Sequence, residues 1–268
     1  MNTSPPSPVP LTNDTQSSAR LVLACLDLTS LNTADAEADI ATLCQRAQSP
    51  FGPVAAVCVW PRLAAFARAQ LPASIGVAAV ANFPHGNADI DAAVRDTKQI
   101  VQAGAQEVDL VLPYRSLMAG DERTVAELLN VVRRACPGLL LKVILETGEL
   151  RTPALIERAC QLSLNSGADF LKTSTGKTPV SATLAAARTM LAAIAASPAA
   201  RHRVGFKAAG GIRTVAEAAA YLTLTQELLG ASALTPQRFR IGASSLLNNI
   251  EAVLSGAAEP SAAPRGAY

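Results

Sequence analysis

The amino-acid sequence repeats one pattern eight times: a short apolar run that predicts a β-strand, then a longer segment with apolar residues at helical spacing. The strand-like runs cover residues 21–29, 55–60, 75–82, 107–113, 139–147, 170–175, 204–210 and 239–245. The helix-like segments include residues 34–47, 89–103, 122–135, 153–166, 182–196 and 215–229. Eight such units over about 240 residues match the size of a closed parallel barrel, so the sequence predicts an α/β protein with a single (β/α)8 TIM barrel.

An open, doubly wound sheet is the alternative fold for this pattern. That fold is favoured when a glycine-rich G-x-G-x-x-G turn follows the first strand, and the sequence has no such turn there. Serine or threonine precedes several predicted helices and is expected to cap them. These expected caps are Thr33, Thr152, Ser181 and Thr214.

The two ends of the chain differ in composition from the middle. Residues 1–19 are rich in Ser, Thr and Pro and lack the apolar segment of a signal peptide, so we expect a disordered lead-in. Residues 256–268 are rich in Ala, Pro and Gly and are expected to form a flexible tail. The barrel domain is therefore predicted at residues 20–255.

Composition and charge argue against several classes of protein. The 268 residues carry a formal net charge of +2 and only 16% are charged, so no basic surface for a nucleic acid is expected. No apolar run approaches the ~18 residues that span a membrane. The 5 cysteines are odd in number and form no C-x-x-C pair. Free thiols in a reducing, cytoplasmic setting are the simplest interpretation.

Five charged residues interrupt the otherwise apolar strands: Asp27, Asp109, Lys142, Lys172 and Lys207. Alternate residues of a barrel strand point inward, and active sites of such barrels lie at the carboxyl ends of the strands. Any one of these charges could instead face solvent or form a structural ion pair. Five in one barrel are hard to explain by packing alone, so we predict a charged, chemically active interior.

Lys172 is the candidate nucleophile, because a neutral lysine amine in a barrel can form a Schiff base. A lysine at its reference pKa of ~10.4 is neutral in only about one molecule in 2,500 at pH 7. A second ammonium ~4 Å away, at an effective dielectric constant of ~20, would lower that pKa by at most roughly three units. Lys207 on the adjacent predicted strand is placed to have this effect, and burial acts in the same direction.

Two glycine-containing loops follow the last two predicted strands. They are Gly210-Gly211-Ile212-Arg213-Thr214 and Gly242-Ala243-Ser244-Ser245. Barrels often bind phosphate between these two loops at a helix N-terminus, where backbone N–H groups, hydroxyls and an arginine contact the anion. A turn or a helix cap is the alternative for either loop alone. Both loops at the two expected places favour a phosphorylated substrate.

Several longer motifs resemble the deoxyribose-phosphate aldolase family. They are D-F-L-K-T-S-T-G-K around Lys172, V-G-F-K-A-A-G-G-I-R-T around Lys207, E-V-D-L-V-L-P-Y around Asp109, N-F-P-H-G at 82–86 and L-E-T-G-E-L at 145–150. The likeness runs from about residue 21 to residue 254. It implies a barrel-fold class I aldolase of deoxyribonucleotide catabolism, without metal or other cofactor. Such an enzyme cleaves 2-deoxy-D-ribose 5-phosphate to glyceraldehyde 3-phosphate and acetaldehyde.

The same resemblance implies residue roles. Lys172 would form the Schiff base, Lys207 would tune its pKa, Asp109 would donate and accept protons, and Asp27 would hold the proton relay in place. The predicted phosphate contacts are Gly176, Lys177, Gly210, Gly211, Arg213, Gly242, Ser244 and Ser245. The terminal Tyr268 resembles the tyrosine that ends some family members, which implies a tail that relays a proton at the barrel mouth.

Two implications of the resemblance are left open by the sequence. Ala208 follows Lys207 where the family usually has proline, and the loss of a fixed φ is expected to loosen the neighbouring loop. A homodimer is possible, but no segment of the sequence identifies an interface. The implied reaction makes small sugar phosphates and aldehydes the expected partners.

Other functions remain as alternatives. A zinc-dependent aldolase needs a cluster of histidines and carboxylates, whereas the 2 histidines, His85 and His202, are predicted in loops and are read as a loop residue and a surface residue. Another Schiff-base aldolase or a transaldolase is closer. An inactive phosphate-binding barrel would need the glycine loops but not two buried lysines. Cys58 on the second strand is interpreted as a small buried apolar residue in preference to a cavity residue.

Overall fold

Eight parallel strands close into a barrel in the computed structural model, which describes residues 14–256. The strands are β1 Leu26–Thr29, β2 Ala56–Val59, β3 Gly76–Ala81, β4 Glu107–Val111, β5 Leu140–Ile144, β6 Phe170–Lys172, β7 Gly205–Ala209 and β8 Phe239–Ala243. Each strand pairs with its neighbours in chain order, and β8 closes the barrel against β1. The predicted (β/α)8 fold is thereby confirmed.

Helices alternate with these strands. They are α1 Thr15–Ala24, α2 Glu37–Arg46, α3 Pro61–Gln70, α4 Ile90–Gln102, α5 Tyr114–Met118, α6 Glu122–Ala135, α7 Thr147–Leu150, α8 Pro153–Asn165, α9 Leu184–Ala196, α10 Val215–Leu229 and α11 Leu246–Ser255. A two-stranded hairpin, Gln48–Ser49 with Gly52–Pro53, lies between α2 and β2. None of the helices within residues 14–256 is long and apolar enough to cross a membrane.

Alternation along each strand separates the helix-facing core from the barrel interior. On β2, Val57 and Val59 belong to the large core between strands and helices, whereas Cys58 belongs to a small apolar cluster inside the barrel. The same period of two places Val108 of β4 in the outer core and Asp109 inside. One strand thus supplies a residue to the core and a residue to the site.

The first predicted strand begins too early, and the predicted lead-in ends too late. Residues 15–24 form α1 instead, and β1 begins at Leu26. The Asp14 carboxylate accepts hydrogen bonds from the backbone N–H groups of Gln16 and Ser17 and so caps this helix. Ala19, Val22 and Leu23 form its buried face, at helical spacing. The apolar run that predicts a strand from residue 21 is partly this helix face.

Helix caps were predicted correctly in two cases out of four. Thr152 and Thr214 cap α8 and α10 through their hydroxyls. The expected caps Thr33 and Ser181 are wrong, because α2 begins after Ala36 and α9 begins after Thr183, whose hydroxyl accepts from the N–H of Ala186. The residues directly before these two helices, Ala36 and Thr183, have extended backbones, so each helix starts later than its apolar pattern indicates.

Candidate active site

All five predicted interior charges point into the barrel and are buried: Asp27 on β1, Asp109 on β4, Lys142 on β5, Lys172 on β6 and Lys207 on β7. The sheet register explains the grouping. Asp109 pairs with Lys142, and Lys172 pairs with Lys207, across neighbouring strands. Paired residues of parallel strands share a face, so the four side chains converge inside the barrel.

Asp109 is the centre of this cluster. Its Oδ2 accepts hydrogen bonds from Lys172 Nζ at 2.8 Å and from Lys207 Nζ at 2.7 Å. Its Oδ1 accepts from Lys142 Nζ at 2.9 Å. Although burial acts in the opposite direction, the three lysines hold the pKa of Asp109 well below its ordinary value. Asp109 is therefore an ionised acceptor in the resting site.

Asp27 links β1 to β7 and β8 through its two carboxylate oxygens. Its Oδ2 accepts from Lys207 Nζ at 2.5 Å, and its Oδ1 accepts from Arg240 Nη1 at 2.5 Å. Burial opposes ionisation, but Lys142, Lys207 and Arg240 together hold the pKa of Asp27 below its ordinary value. The geometry agrees with the predicted role of Asp27 in holding the proton relay, and that role stays a prediction.

The two lysines of the predicted catalytic pair differ in their pKa values. Burial lowers the pKa of Lys172 below its ordinary value; Asp109 opposes this effect and Lys207 adds to it. Burial also disfavours the Lys207 ammonium, but Asp109 and Asp27 outweigh it and raise the pKa of Lys207. Lys172 has one carboxylate contact and Lys207 has two. Both amines are buried, so the second carboxylate beside Lys207 accounts for the difference, and Lys172 has the lower pKa of the two.

Glu107 and Arg240 belong to the same cluster and are absent from the sequence prediction. Arg240 Nη2 donates to Glu107 Oε1 at 2.9 Å, and Lys142 Nζ donates to Glu107 Oε2. A signal for both was present: Glu107 lies two residues before Asp109 on β4, and Arg240 pairs with Lys207 across β7 and β8. Both positions share the inward face with a charge that was recognised.

A narrow cavity of about 10 Å³ leads from Lys172 toward the glycine loops. Its lining residues are Thr29, Leu31, Lys172, Thr175, Lys177, Ala209, Gly210 and Gly242. Three of the predicted phosphate residues, Lys177, Gly210 and Gly242, line this cavity. Gly176 lies between two lining residues, Thr175 and Lys177, in the same loop. Gly211, Arg213, Ser244 and Ser245 are not among its lining residues.

Glycine at position 210 lets two loops meet. Gly210 has a φ of 88° and Gly211 a φ of 84°, values that favour glycine. A Cβ at Gly210 would lie 2.6 Å from Ser181 Cβ and 3.2 Å from Gly176 Cα. The absence of a side chain therefore brings the loop after β7 against the loop after β6, beside the cavity.

Gly242 has a second structural reason to be glycine. It lies within β8, and a Cβ there would be 3.0 Å from Lys207 Cε. Ser244 and Ser245 follow it, are exposed, and precede α11, with Ser245 at the N-cap and without a side-chain cap hydrogen bond. Their position at a helix N-terminus is consistent with an anion site, and the phosphate role of all three remains a prediction.

Lys177 and Arg213 make different contacts in the two loops. Lys177 Nζ donates to the carbonyl oxygen of Leu31 at 2.9 Å, which joins the loop after β6 to the loop after β1. Burial lowers the pKa of Lys177. Arg213 is half-buried at the start of the α10 cap, where its N–H donates to Glu217 Oε2 at 2.7 Å.

Glu146 is a further residue with a place in the site that the sequence prediction missed. Its buried carboxylate accepts from the N–H and hydroxyl of Thr175 and from the hydroxyl of Thr178. Burial raises its pKa, and the hydrogen bonds from Thr175 and Thr178 oppose this. Glu146 therefore fastens the loop that follows Lys172. The motif L-E-T-G-E-L contained this residue without indicating its role.

The remaining residues singled out in the sequence can be compared with the structure. Cys58 is buried, as predicted, but its Sγ also lies 3.8 Å from Asp109 Oδ2, so it faces the charged interior. Ala208 lies within β7 and is buried in the outer core, so it belongs to the sheet and not to the loop. His85 and His202 are exposed. Tyr268 lies outside the described residues.

All five cysteines fall within residues 14–256 and are free and buried, as expected. No group of three or more His, Cys, Asp or Glu side chains within that part of the chain is arranged to hold a metal ion.

Residues 21–252 match the family described as DeoC/LacD family aldolase. A deoxyribose-phosphate aldolase from Agrobacterium fabrum (strain C58) is 49% identical over 251 residues, covering 92% of this chain and 95% of the relative. A Toxoplasma gondii ME49 protein assigned as a deoxyribose-phosphate aldolase has a similar solved structure, with 25% identity, a TM-score of 0.83, and coverage of 90% of this chain and 95% of its own. A Coccidioides immitis protein with the same assignment is 29% identical, with a TM-score of 0.75 and coverage of 87% and 85%.

Proposed function

The chain belongs to the DeoC/LacD family of aldolases, and we propose that it cleaves 2-deoxy-D-ribose 5-phosphate reversibly to D-glyceraldehyde 3-phosphate and acetaldehyde through a Schiff base on Lys172. The name of the Agrobacterium relative supports this substrate. One observation carries the mechanism: Lys172 is a buried amine with a lowered pKa, and its Nζ lies 2.8 Å from the Asp109 carboxylate at one end of a cavity.

Schiff-base formation follows from the state of the two lysines. Neutral Lys172 Nζ attacks C1 of the open-chain sugar, and the carbonyl oxygen takes up a proton to give a carbinolamine. Lys207 keeps its proton and shares Asp109 Oδ2 with Lys172, so a proton donor lies beside the reacting nitrogen. Loss of water then gives the iminium ion, whose positive charge replaces that of a protonated Lys172 beside Asp109.

The iminium ion makes carbon–carbon cleavage possible. Because acetaldehyde contains C1 and C2, the bond that breaks is C2–C3. A base removes the proton of the C3 hydroxyl, the electrons of the C2–C3 bond move toward the iminium nitrogen, and an enamine remains on Lys172. Asp109 is ionised and is the acceptor nearest to this nitrogen, so it receives that proton directly or through one water. Protonation at C2 and hydrolysis release acetaldehyde.

Phosphate binding would place the sugar along the cavity. The cavity reaches from Lys172 to Gly210 and Gly242, and Arg213, Ser244 and Ser245 follow these glycines in the same two loops. The first turn of α11, whose N-cap Ser245 makes no side-chain cap hydrogen bond, would add backbone N–H donors. Contacts to the phosphate, which is remote from the reacting bond, would hold the C2–C3 bond over the amine. A phosphorylated substrate therefore suits this arrangement.

The direct test is product formation. The purified chain is incubated with 2-deoxyribose 5-phosphate, and proton NMR follows acetaldehyde and glyceraldehyde 3-phosphate. Equal amounts of both products are expected with the parent, and none with Lys172→Met. Ribose 5-phosphate and fructose 1,6-bisphosphate are the comparison substrates. Faster cleavage of either would assign the chain to a different aldolase reaction.

A further inference from the structure

We propose that Glu107 and Arg240, at the floor of the barrel, are positioning residues that set the charge balance under Lys172. This inference rests on the proposed Schiff-base function. Both residues line a cleft of about 450 Å³ that Arg20 of α1 and Gln237 before β8 also line, and neither residue lines the cavity that contains Lys172. They therefore do not touch a substrate at Lys172, and their effect on the amine is electrostatic.

The connection is a continuous set of ion pairs. Arg240 donates to Glu107 and to Asp27, Glu107 accepts from Lys142, and Lys142 lies 2.9 Å from Asp109 Oδ1. The other oxygen of Asp109 accepts from Lys172. The guanidinium of Arg240 is fixed further by the carbonyl oxygen of Pro236 and by the Phe170 ring, whose centroid lies 5.7 Å from Cζ. These contacts hold the guanidinium of Arg240 between Asp27 and Glu107.

Charge counting gives these two residues a chemical role. The titratable and charged groups around Lys172 come from six other strands and from the region just after β5. They are Asp27, Cys58, Glu107, Asp109, Lys142, Glu146, Lys207 and Arg240.

Within the ion-paired cluster, four cations, counting a protonated Lys172, face three carboxylates. The cluster becomes neutral when Lys172 loses its proton. Glu107 and Arg240 contribute one charge of each sign to this balance, so removing one of them changes it by one unit without touching Asp109, Lys172 or Lys207. Cys58 is a thiol with a pKa raised by burial to about 11 and adds no charge near neutral pH.

The two removals have opposite expected effects. Glu107→Gln leaves an extra positive charge and should lower the pKa of Lys172. Arg240→Met leaves an extra negative charge and should raise it. A unit charge ~10 Å away at an effective dielectric constant of ~20 shifts a pKa by about one unit, so about one unit in each direction is expected. A purely structural role for these residues gives no opposite pair of shifts.

Competitive labelling measures this pKa without any sugar substrate. Trace acetic anhydride is added to the full chain at a series of pH values, and mass spectrometry quantifies acetylation of Lys172. Glu107→Asp and Arg240→Lys keep the charges and should give the parent titration curve. Glu227→Gln, in the exposed pair with Arg188, is the surface control and should also leave it unchanged.

Two opposite shifts with unchanged controls support the proposal, whereas shifts of the same sign, or none, overturn it. If Arg240→Met does not fold, the contrast between Glu107→Gln and Glu107→Asp decides alone. Cleavage of 2-deoxyribose 5-phosphate is assayed separately in each variant. If the chain does not cleave this sugar, the pKa of Lys172 can still be measured by acetylation. If cleavage is intact but the pKa of Lys172 does not shift in the variants, only the role proposed for Glu107 and Arg240 is rejected.

Discussion

Lys172 and Lys207 are register partners on β6 and β7, and their amines donate to the same oxygen of Asp109, at 2.8 Å and 2.7 Å. When two buried ammonium groups share one carboxylate oxygen, each charge raises the free energy of protonating the other. Lys207 has Asp27 as a second acceptor that stabilises its charge, so Lys172 is the amine whose protonation is less favourable. This asymmetry gives Lys172 the lower pKa of the two amines and favours retention of the charge on Lys207.

Replacement of Lys207 by leucine should slow the reaction at neutral pH. The variant removes a like charge and leaves Asp109 Oδ2 to Lys172, and both changes raise the pKa of Lys172. Since burial is the largest cause of the lowered pKa, part of the lowering should remain. A raised pKa reduces the neutral fraction below that pKa, by about tenfold per unit.

We expect kcat at pH 7 to fall by roughly tenfold to a thousandfold in Lys207→Leu, with partial recovery as the pH rises. The pH dependence of kcat and of imine formation checks this. Lys98→Leu, at an exposed site on α4, is the matched control and should behave as the parent. A variant profile that overlays the parent profile would refute the like-charge argument.

Glu146→Gln should weaken catalysis through the loop that follows Lys172. The amide keeps the size of the side chain but removes one of the two oxygens that accept from Thr175 and Thr178. An unsatisfied buried donor costs about 1–3 kcal/mol, so a loss in kcat of about tenfold and a lower melting temperature are expected. Glu149→Gln, on α7 and outside these contacts, is the control. Parent-like kcat in Glu146→Gln would separate this loop from catalysis.

The fold was largely readable from the sequence because the strand and helix periods repeat without interruption. The two longest outer helices, α6 and α10, begin and end where the apolar pattern places them. The first strand was misplaced because α1 presents Val22 and Leu23 as a buried helix face directly before β1. A short apolar run looks the same in sequence whether it forms a strand or the buried face of a helix.

The site was predictable where a charge interrupts an apolar strand, and less so elsewhere. Lys172 and Asp109 stand out by this criterion. Glu107 satisfied it too, but its place at the start of β4 resembles an ordinary loop boundary. Glu146 follows β5 and acts on a loop 29 residues away in sequence. Only the closed barrel brings those two loops together, so no local pattern reports the contact.

Arg213→Ala should affect the phosphorylated sugar selectively. A charge-assisted contact to phosphate contributes roughly 1.5–3 kcal/mol, so kcat/KM for 2-deoxyribose 5-phosphate should fall about tenfold to a hundredfold. The value for unphosphorylated 2-deoxyribose should stay the same. Arg188→Ala on α9 is the surface control. Equal losses on both sugars would assign Arg213 a structural role at the start of α10.

Tyr268→Phe tests the predicted function of the terminal residue, which lies outside the described part of the chain. A phenol of pKa ~10 can pass a proton to the enamine carbon, so loss of its hydroxyl should slow enamine protonation and leave Schiff-base formation unchanged. NMR measures this step as exchange of the acetaldehyde methyl protons in deuterated water. Tyr114→Phe, a buried residue of α5, is the matched control. Exchange at the parent rate would show that the terminal hydroxyl takes no part.

The central claim is that Lys172 is the amine that forms the Schiff base. The purified chain is mixed with a low concentration of acetaldehyde, reduced with borohydride, digested and examined by mass spectrometry. The account predicts an added ethyl group, about 28 Da in mass, on the peptide that carries Lys172, at a pH where Lys207 and Lys142 stay charged because their pKa values are raised. A main adduct on Lys207 or Lys142, or no adduct on Lys172, would contradict it.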